Sequence, residues 1–273
     1  MSSFASISPD KLNRLIGTPD RPVLIDVRTA DDFSADPRLV PGSIRRCAED
    51  APQWSQDFTG RAVIVICQRG AKLSHGAAAW LRVAGAPAES LEGGFEAWKA
   101  AGLPLVPVDK LPQQHDPAGP TVWVTRARPK IDRIACPWLI RRFVDPQAVF
   151  LYVAPSEITA VAERFKAMPF DIETTFWSHR GELCTFDVMV EEFGLTTPAL
   201  QRLATIVRAA DTARLDLSPE APGLLAASLG LSRIHDDDLT QLEAGLGLYD
   251  AFYRWCRDAT SETHNWPTNK VKP

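Results

Sequence analysis

The sequence has no long apolar run. Nowhere in its 273 residues does a stretch approach the ~20 apolar residues that cross a bilayer. Met1-Ser2-Ser3-Phe4 also lacks the basic region and apolar core of an export signal. These two absences predict a cytoplasmic protein with no membrane partner. Cysteine is sparse and unpaired. The five cysteines (Cys47, Cys67, Cys136, Cys184, Cys256) are odd in number and form no Cys-x-x-Cys pair; this argues against a disulfide framework or a zinc knuckle and leaves at least one thiol for chemistry. A basic excess is missing too. With a formal net charge of −4 and a pI near 5.8, no global field recruits nucleic acid or anionic lipid, and nucleic acid is not expected as a partner. No internal repeat is evident. What remains is an ordinary globular composition, 45% hydrophobic and 23% charged, in a chain long enough for two domains.

The most informative stretch is residues 62–85. The run Ala62-Val63-Ile64-Val65-Ile66 stops at Cys67, and Cys67-Gln68-Arg69-Gly70-Ala71-Lys72 leads into Leu73 to Ala84. A short uninterrupted apolar run reads as a strand buried on both faces of a parallel sheet. Leu73, Ala77, Trp80, Leu81 and Ala84 then fall at helical spacing, with Gly85 as the stop. Strand, tight loop and helix bring loop N–H groups and a helix N-terminus onto an anion, which suits a cysteine acting as thiolate. Phosphatase versions of such a loop place an arginine where this chain has Leu73. The loop is therefore better sized for a persulfide than for a tetrahedral oxyanion, and sulfur transfer through Cys67 is the leading reading.

Two flanking motifs, Leu24-Ile25-Asp26-Val27-Arg28 and Leu91-Glu92-Gly93-Gly94-Phe95-Glu96-Ala97-Trp98-Lys99-Ala100-Ala101-Gly102-Leu103-Pro104, complete a pattern over residues 5–105 that resembles a single-domain rhodanese. The resemblance implies a parallel sheet flanked by helices, sulfurtransferase activity without a cofactor, and Cys67 as the catalytic residue. Gln68, Arg69, Gly70, Ala71, Lys72 and Leu73 would form the substrate-binding loop. The partners implied are a small-molecule sulfur donor and a thiol acceptor. In rhodaneses the residues matching Asp26 and Arg28 mostly hold loops together; Arg28 joins the substrate-binding set as a cation able to draw in an anionic donor. Two departures are visible: no histidine precedes Pro41-Gly42, and the hydroxyl residue expected directly after the loop is Leu73, with Ser74 one place later.

Taken in order, Ser8 caps a short helix begun by Pro9 and ended by Gly17, Val23 to Val27 is a buried strand, Ala88 to Leu91 is another, and Gly93-Gly94 opens a helix stopped by Gly102. Cys47, after Arg45-Arg46, has no cradle and reads as incidental. The prolines at 104, 107, 112, 117 and 120 describe a stiff extended linker over residues 106–120, between a domain at 1–105 and a second at 121–273. In the second domain, strands are expected at Thr121–Thr125, Ala148–Val153 and Phe170–Trp177. Helices are expected from a Ser156 cap to Met168, from Glu182 to Phe193, from Thr197-Pro198 to Thr212, from Pro219 to Leu229, and from Asp236 to Arg257. Pro137 is expected in a helix's first turn. The last dozen residues look frayed. The fold class is thus α/β, a rhodanese-like parallel sheet flanked by helices, plus a second, mainly helical α+β domain.

Six cations, Arg126, Arg128, Lys130, Arg133, Arg141 and Arg142, fall within seventeen residues of this acidic chain. Arg126, Arg128, Lys130 and Arg133 are candidates for binding an oxyanion, against a solvated face as the plainer reading. No metal is called for, since no two histidines lie at ligand spacing; His179, Cys184, Asp187, Asp211 and His235 supply the right donor types as candidates. The segment Trp123-Val124-Thr125-Arg126-Ala127-Arg128-Pro129-Lys130-Ile131-Asp132-Arg133-Ile134-Ala135-Cys136-Pro137-Trp138-Leu139-Ile140-Arg141-Arg142, with Cys184-Thr185-Phe186-Asp187 and Val207-Arg208-Ala209-Ala210-Asp211-Thr212, resembles the C-terminal domain of the chromate-resistance family related to the ChrB regulator, over residues 121–260. That resemblance implies a context of chromate or oxyanion stress. Regulators of the family carry a different, DNA-binding N-terminal half. The competing reading is therefore an oxyanion- or redox-sensing regulatory protein without turnover.

Overall fold

A computed structural model describes residues 5–112 and 119–263. The chain begins with β1 (Ser6–Ile7), α1 (Pro9–Leu15), β2 (Val23–Asp26), α2 (Ala30–Ala35), β3 (Arg38–Leu39), β4 (Ser43–Arg45) and α3 (Ala51–Trp54). It continues through β5 (Val63–Ile66), α4 (Lys72–Val83), β6 (Ala88–Leu91), α5 (Gly94–Ala100) and β7 (Val106–Pro107). Five strands form a parallel sheet in the order β1-β6-β5-β2-β4, which puts β5 at its centre and Cys67 at the carboxyl end of the central strand. The unbroken run Val63–Ile66 is apolar on both faces because both faces are covered. Val63 and Val65 pack with Ala77, Ala78 and Leu81 of α4 on one side. Ile64 and Ile66 point to the other, into a core with Leu12, Phe95 and Trp98.

That second core does not end with the sheet. It runs on through the second domain, so the two sequence domains share one continuous apolar interior. The contact is close at Gly17, whose φ of +78° stops α1; a Cβ there would lie 2.3 Å from Phe143 and 2.8 Å from Tyr253. Polar ties reinforce it: Arg21 and Arg257 donate to the carbonyls of Arg141 and Ile16, and Lys110 pairs with Glu192 at 2.7 Å. The segment expected as an extended linker is packed. β7 pairs antiparallel with β3, a 3-10 turn spans Val108–Lys110, and Leu105 and Val106 are buried. Pro117 lies outside the described residues, as do the last ten residues of the expected frayed end.

The second half contains β8 (Val122–Arg126), α6 (Asp132–Leu139), β9 (Val149–Val153), α7 (Ile158–Phe165), β10 (Met168–Pro169), α8 (Thr185–Glu192), α9 (Pro198–Asp211), α10 (Ala221–Ile234) and α11 (Asp238–Arg254). A small parallel sheet, β10-β8-β9, packs against a mainly helical body. No helix among the described residues is long and apolar enough to cross a membrane.

Four local expectations change. Pro137 lies inside α6, not in its first turn. It deprives the Arg133 carbonyl of its helical donor, and the Tyr152 hydroxyl fills the vacancy at 3.0 Å. Ser156 caps nothing: α7 starts at Ile158 after a 3-10 turn, and Glu157 reaches back to the Ala154 N–H at 3.2 Å. Phe170–Trp177 is a turn closed by a bridge between its ends, not a strand, because Asp171 and Thr174 adopt positive φ. The helix expected to end at Leu229 is α10, which runs on to Ile234.

Candidate functional site

Cys67 is buried, 5% exposed, where β5 gives way to the loop leading into α4. The loop turns at Gly70 with φ +63°, and a Cβ there would meet the Leu91 carbonyl at 2.4 Å and the Gly93 nitrogen at 2.7 Å; only glycine fits both the conformation and the gap. This turn aims the Ala71 N–H at the Cys67 sulfur, 3.2 Å away. The loop's outer side is clamped by the start of α5. The N–H groups of Phe95 and Glu96 donate to the carbonyls of Cys67 and Gln68 at 2.9 and 3.1 Å. Gly94, φ +61°, allows this approach, since its Cβ would lie 2.2 Å from the Cys67 carbonyl. The Gly93-Gly94 pair is thus part of the site's architecture as well as a helix start.

The predicted loop residues divide by role. Gln68 is half-buried and its amide donates to Glu96 at 2.6 Å. Arg69 and Lys72 are exposed and form no ion pair among the described residues, so both charges face solvent beside the loop. Leu73 is half-buried. One residue was missed: Ser74. Its hydroxyl is fully buried, lies 3.2 Å from the Cys67 sulfur and donates to the Ala71 carbonyl at 3.0 Å. The hydroxyl sought directly after the loop is one position later, because the first turn of α4 carries residue 74 back over the sulfur.

Arg28 does not belong with the binding loop. Its guanidinium is fully buried, bonds Asp26 at 2.8 Å and the carbonyls of Asp36 and Arg38 at 3.1 and 2.6 Å, and stacks on Phe95 at 3.7 Å. With its donors engaged it scaffolds the loop behind β2. Cys47 is exposed and donates to Glu49 at 2.9 Å; that carboxylate pushes its thiol pKa up, the opposite of activation. A cavity of about 730 Å³ lies between the two halves, lined by Arg45, Arg46 and Cys47 on one side and Thr121, Asp145 and Gln147 on the other. It meets the Cys67 loop only at Leu73 and does not reach the sulfur.

The basic opening of the second half folds onto acids and carbonyls. Arg128 donates through its backbone to Asp238 and through its side chain to the carbonyls of Ser232, His235 and Asp236. Arg133 donates to the carbonyls of Arg126 and Ala127, and both Arg126 and Arg133 approach Asp171, at 3.0 and 3.4 Å. Of the four oxyanion candidates only Lys130, which is exposed, has no such partner among the described residues. Arg126, Arg128 and Arg133 are thus engaged within the fold.

The five metal candidates separate likewise. Cys184 caps α8, and its N–H donates to Asp187 at 3.0 Å. Asp187 also pairs with Arg208 at 2.8 Å, while His235 lies by Arg128. His179 and Asp211 do meet, at 3.3 Å, and Asp132 and Asp171 join them at 3.6 and 3.5 Å from the same imidazole nitrogen. Burial pushes the Asp132 carboxyl well up, and the charges of Asp211 and Asp171 push further the same way. His179 is raised to about 10, first by its contact with Asp171 and then by Asp211. Asp132 and Asp171 carried no spacing signal and were missed.

Residues 123–256 match the family model described as the ChrB C-terminal domain, and residues 8–101 match that of the rhodanese-like domain. Protein ChrB of Cupriavidus metallidurans is 34% identical over 133 residues, covering 48% of this chain and 39% of that protein, so the match spans well under half of that relative. Among solved structures, a rhodanese-related protein from Thermoplasma volcanium is 24% identical, covering 38% of this chain and 98% of the other, with a TM-score of 0.33. A thiosulfate sulfurtransferase from Pseudomonas aeruginosa is 24% identical over 39% of this chain and 20% of its own, also with a TM-score of 0.33.

Proposed function

We propose, for a chain that joins a rhodanese-like domain to a ChrB C-terminal domain, that the first domain is a sulfurtransferase working through a Cys67 persulfide in a context of chromate or oxyanion stress. The observation that carries this reading is the buried sulfur at the end of the central strand, met at 3.2 Å by the Ala71 N–H and at 3.2 Å by the Ser74 hydroxyl. In the first step the Cys67 thiolate attacks the outer sulfur of thiosulfate. A new S–S bond forms, the donor's S–S bond breaks, and sulfite leaves with the bonding pair. Arg69 and Lys72 draw in the anionic donor, and the Ala71 N–H stabilises negative charge on the bound sulfur. In the second step a thiolate or cyanide takes the outer persulfide sulfur, and the Cys67 thiolate is released.

Intact-mass spectrometry of wild type and Cys67→Ser after incubation with thiosulfate tests this. The expected result is a gain of one sulfur on wild type alone, removed by cyanide. An adduct on Cys67→Ser, or none on wild type with any sulfane donor, would sink the assignment. The competing reading, oxyanion sensing through the basic stretch, has less support because Arg126, Arg128 and Arg133 are already engaged within the fold.

A further inference from the structure

The rhodanese-like domain gives the second half no chemistry of its own, yet a polar centre is built there from three distant segments. Asp132 begins α6, Asp211 ends α9, and Asp171 and His179 flank the turn after β10. We propose that Asp132, His179 and Asp211 bind one divalent first-row cation of the Zn²⁺ or Mn²⁺ class, with Asp171 beside them.

The separations are those of a ligand set. Ligands held about 2.1 Å from a tetrahedral ion stand roughly 3.4 Å apart. The His179 Nε2 lies 3.3 Å from Asp211 and 3.6 Å from Asp132, and the three ligand atoms all fall within 4.8 Å of one another. Hydrogen bonding explains the arrangement poorly. All three carboxylate contacts of Nε2 exceed 3.2 Å, and one N–H cannot serve three acceptors.

A second, independent observation points the same way. Asp132 is 1% exposed; its Oδ2 accepts the Thr185 N–H at 2.6 Å, but its Oδ1 is buried with no hydrogen-bond partner among the described residues. A buried carboxylate with an orphaned oxygen is costly unless it is protonated or set against a cation, and an ion held by Asp132, His179 and Asp211 meets the second condition. Arg126 and Arg133 both pair with Asp171, which leaves the carboxylates of Asp132 and Asp211 and one imidazole facing a doubly charged ion. One nitrogen with oxygen donors suits Zn²⁺ or Mn²⁺ better than a soft, thiolate-seeking metal. When the ion binds, Nε2 gives its proton to solvent and its lone pair to the metal. His179 is 40% and Asp211 20% exposed, so the site opens to solvent on that side.

The test uses the full chain, stripped with a chelator and titrated calorimetrically with Zn²⁺ and separately with Mn²⁺, the latter followed also by its paramagnetic resonance. One ion per chain is expected. Asp132→Asn and Asp211→Asn should each weaken binding at least 10- to 100-fold, the loss seen even for outer-shell partners of metal ligands. Asp211, at a helix end and partly exposed, is the variant least apt to disturb folding. Cys67→Ser, and Asp236→Asn with Asp237→Asn in the exposed acidic run, should leave binding unchanged. No binding of either ion, or binding that survives Asp211→Asn, would overturn the proposal. Sulfur loading of Cys67 is a separate readout, so failure of either reading leaves the other standing.

Discussion

Replacing Ser74 by alanine should slow sulfur capture while leaving the protein folded. The hydroxyl sits 3.2 Å from the Cys67 sulfur and donates to the Ala71 carbonyl at 3.0 Å. It has a single proton, so with a thiol at Cys67 it keeps the carbonyl and accepts from S–H. With a thiolate it turns that proton to sulfur. A hydrogen bond to a charged partner contributes about 1.5–3 kcal/mol. Since each 1.36 kcal/mol is tenfold in rate, persulfide formation should fall roughly 10- to 150-fold at fixed pH if the bond is made to the reacting thiolate. The stability cost is smaller. Ala71 is exposed, water can satisfy its freed carbonyl, and the loss should stay near 1 kcal/mol. Rapid-mixing measurement of sulfur loading from thiosulfate, with iodoacetamide alkylation beside it, reads the rate, and urea unfolding reads the stability. Loading and alkylation both within twofold of wild type would refute the role given to Ser74. A fall in loading matched by an equal loss of folded protein would refute it too.

Tyr152→Phe should destabilise the chain by about 1–2 kcal/mol, because it orphans the Arg133 carbonyl that Pro137 leaves free; in a Pro137→Ala background the restored N–H should shrink that cost, and a double-mutant cycle in urea without coupling would refute the pairing. Gly17→Ala forces a residue with a Cβ into positive φ and drives it into Phe143 and Tyr253, so a loss of about 2–4 kcal/mol is expected by denaturant midpoint, with separate unfolding of the two halves as a further sign. The Asp36 carboxyl is held well below its usual range, first by the forked Arg38 guanidinium and then by Lys99. Its folded pKa is depressed, so its contribution, about 1 kcal/mol for a partly exposed pair, is complete above pH ~4 and lost in stronger acid. Wild type and Asp36→Asn should therefore differ at pH 7, with a gap that narrows progressively as pH falls below ~4; an unchanged gap in acid would contradict this.

Much of the first half was legible because its signals are local. A five-residue apolar run marks a strand covered on both sides, glycines mark the turns that need positive φ, and together they put Cys67 at a strand's carboxyl end before any contact was known. The resemblance to rhodaneses rests on those same short motifs. Local pattern was less reliable where a distant partner intervened: a proline that reads as a helix start sits inside α6 because Tyr152 supplies the missing hydrogen bond. Likewise Arg126, Arg128 and Arg133 read as a basic patch until the fold sets them against Asp171, Asp238 and the end of α10.

The sequence alone determined the strand, loop and helix that carry Cys67, since they are contiguous and their geometry follows from neighbouring residues. Only the tertiary structure decided the rest. It turned Ser74 onto the sulfur, committed Arg28 to scaffolding, and merged two sequence domains into one apolar interior. It also gathered Asp132, Asp171, His179 and Asp211 from segments with no shared period. Burial and charge at such a centre depend on how helices pack across the whole chain, and no residue spacing records that.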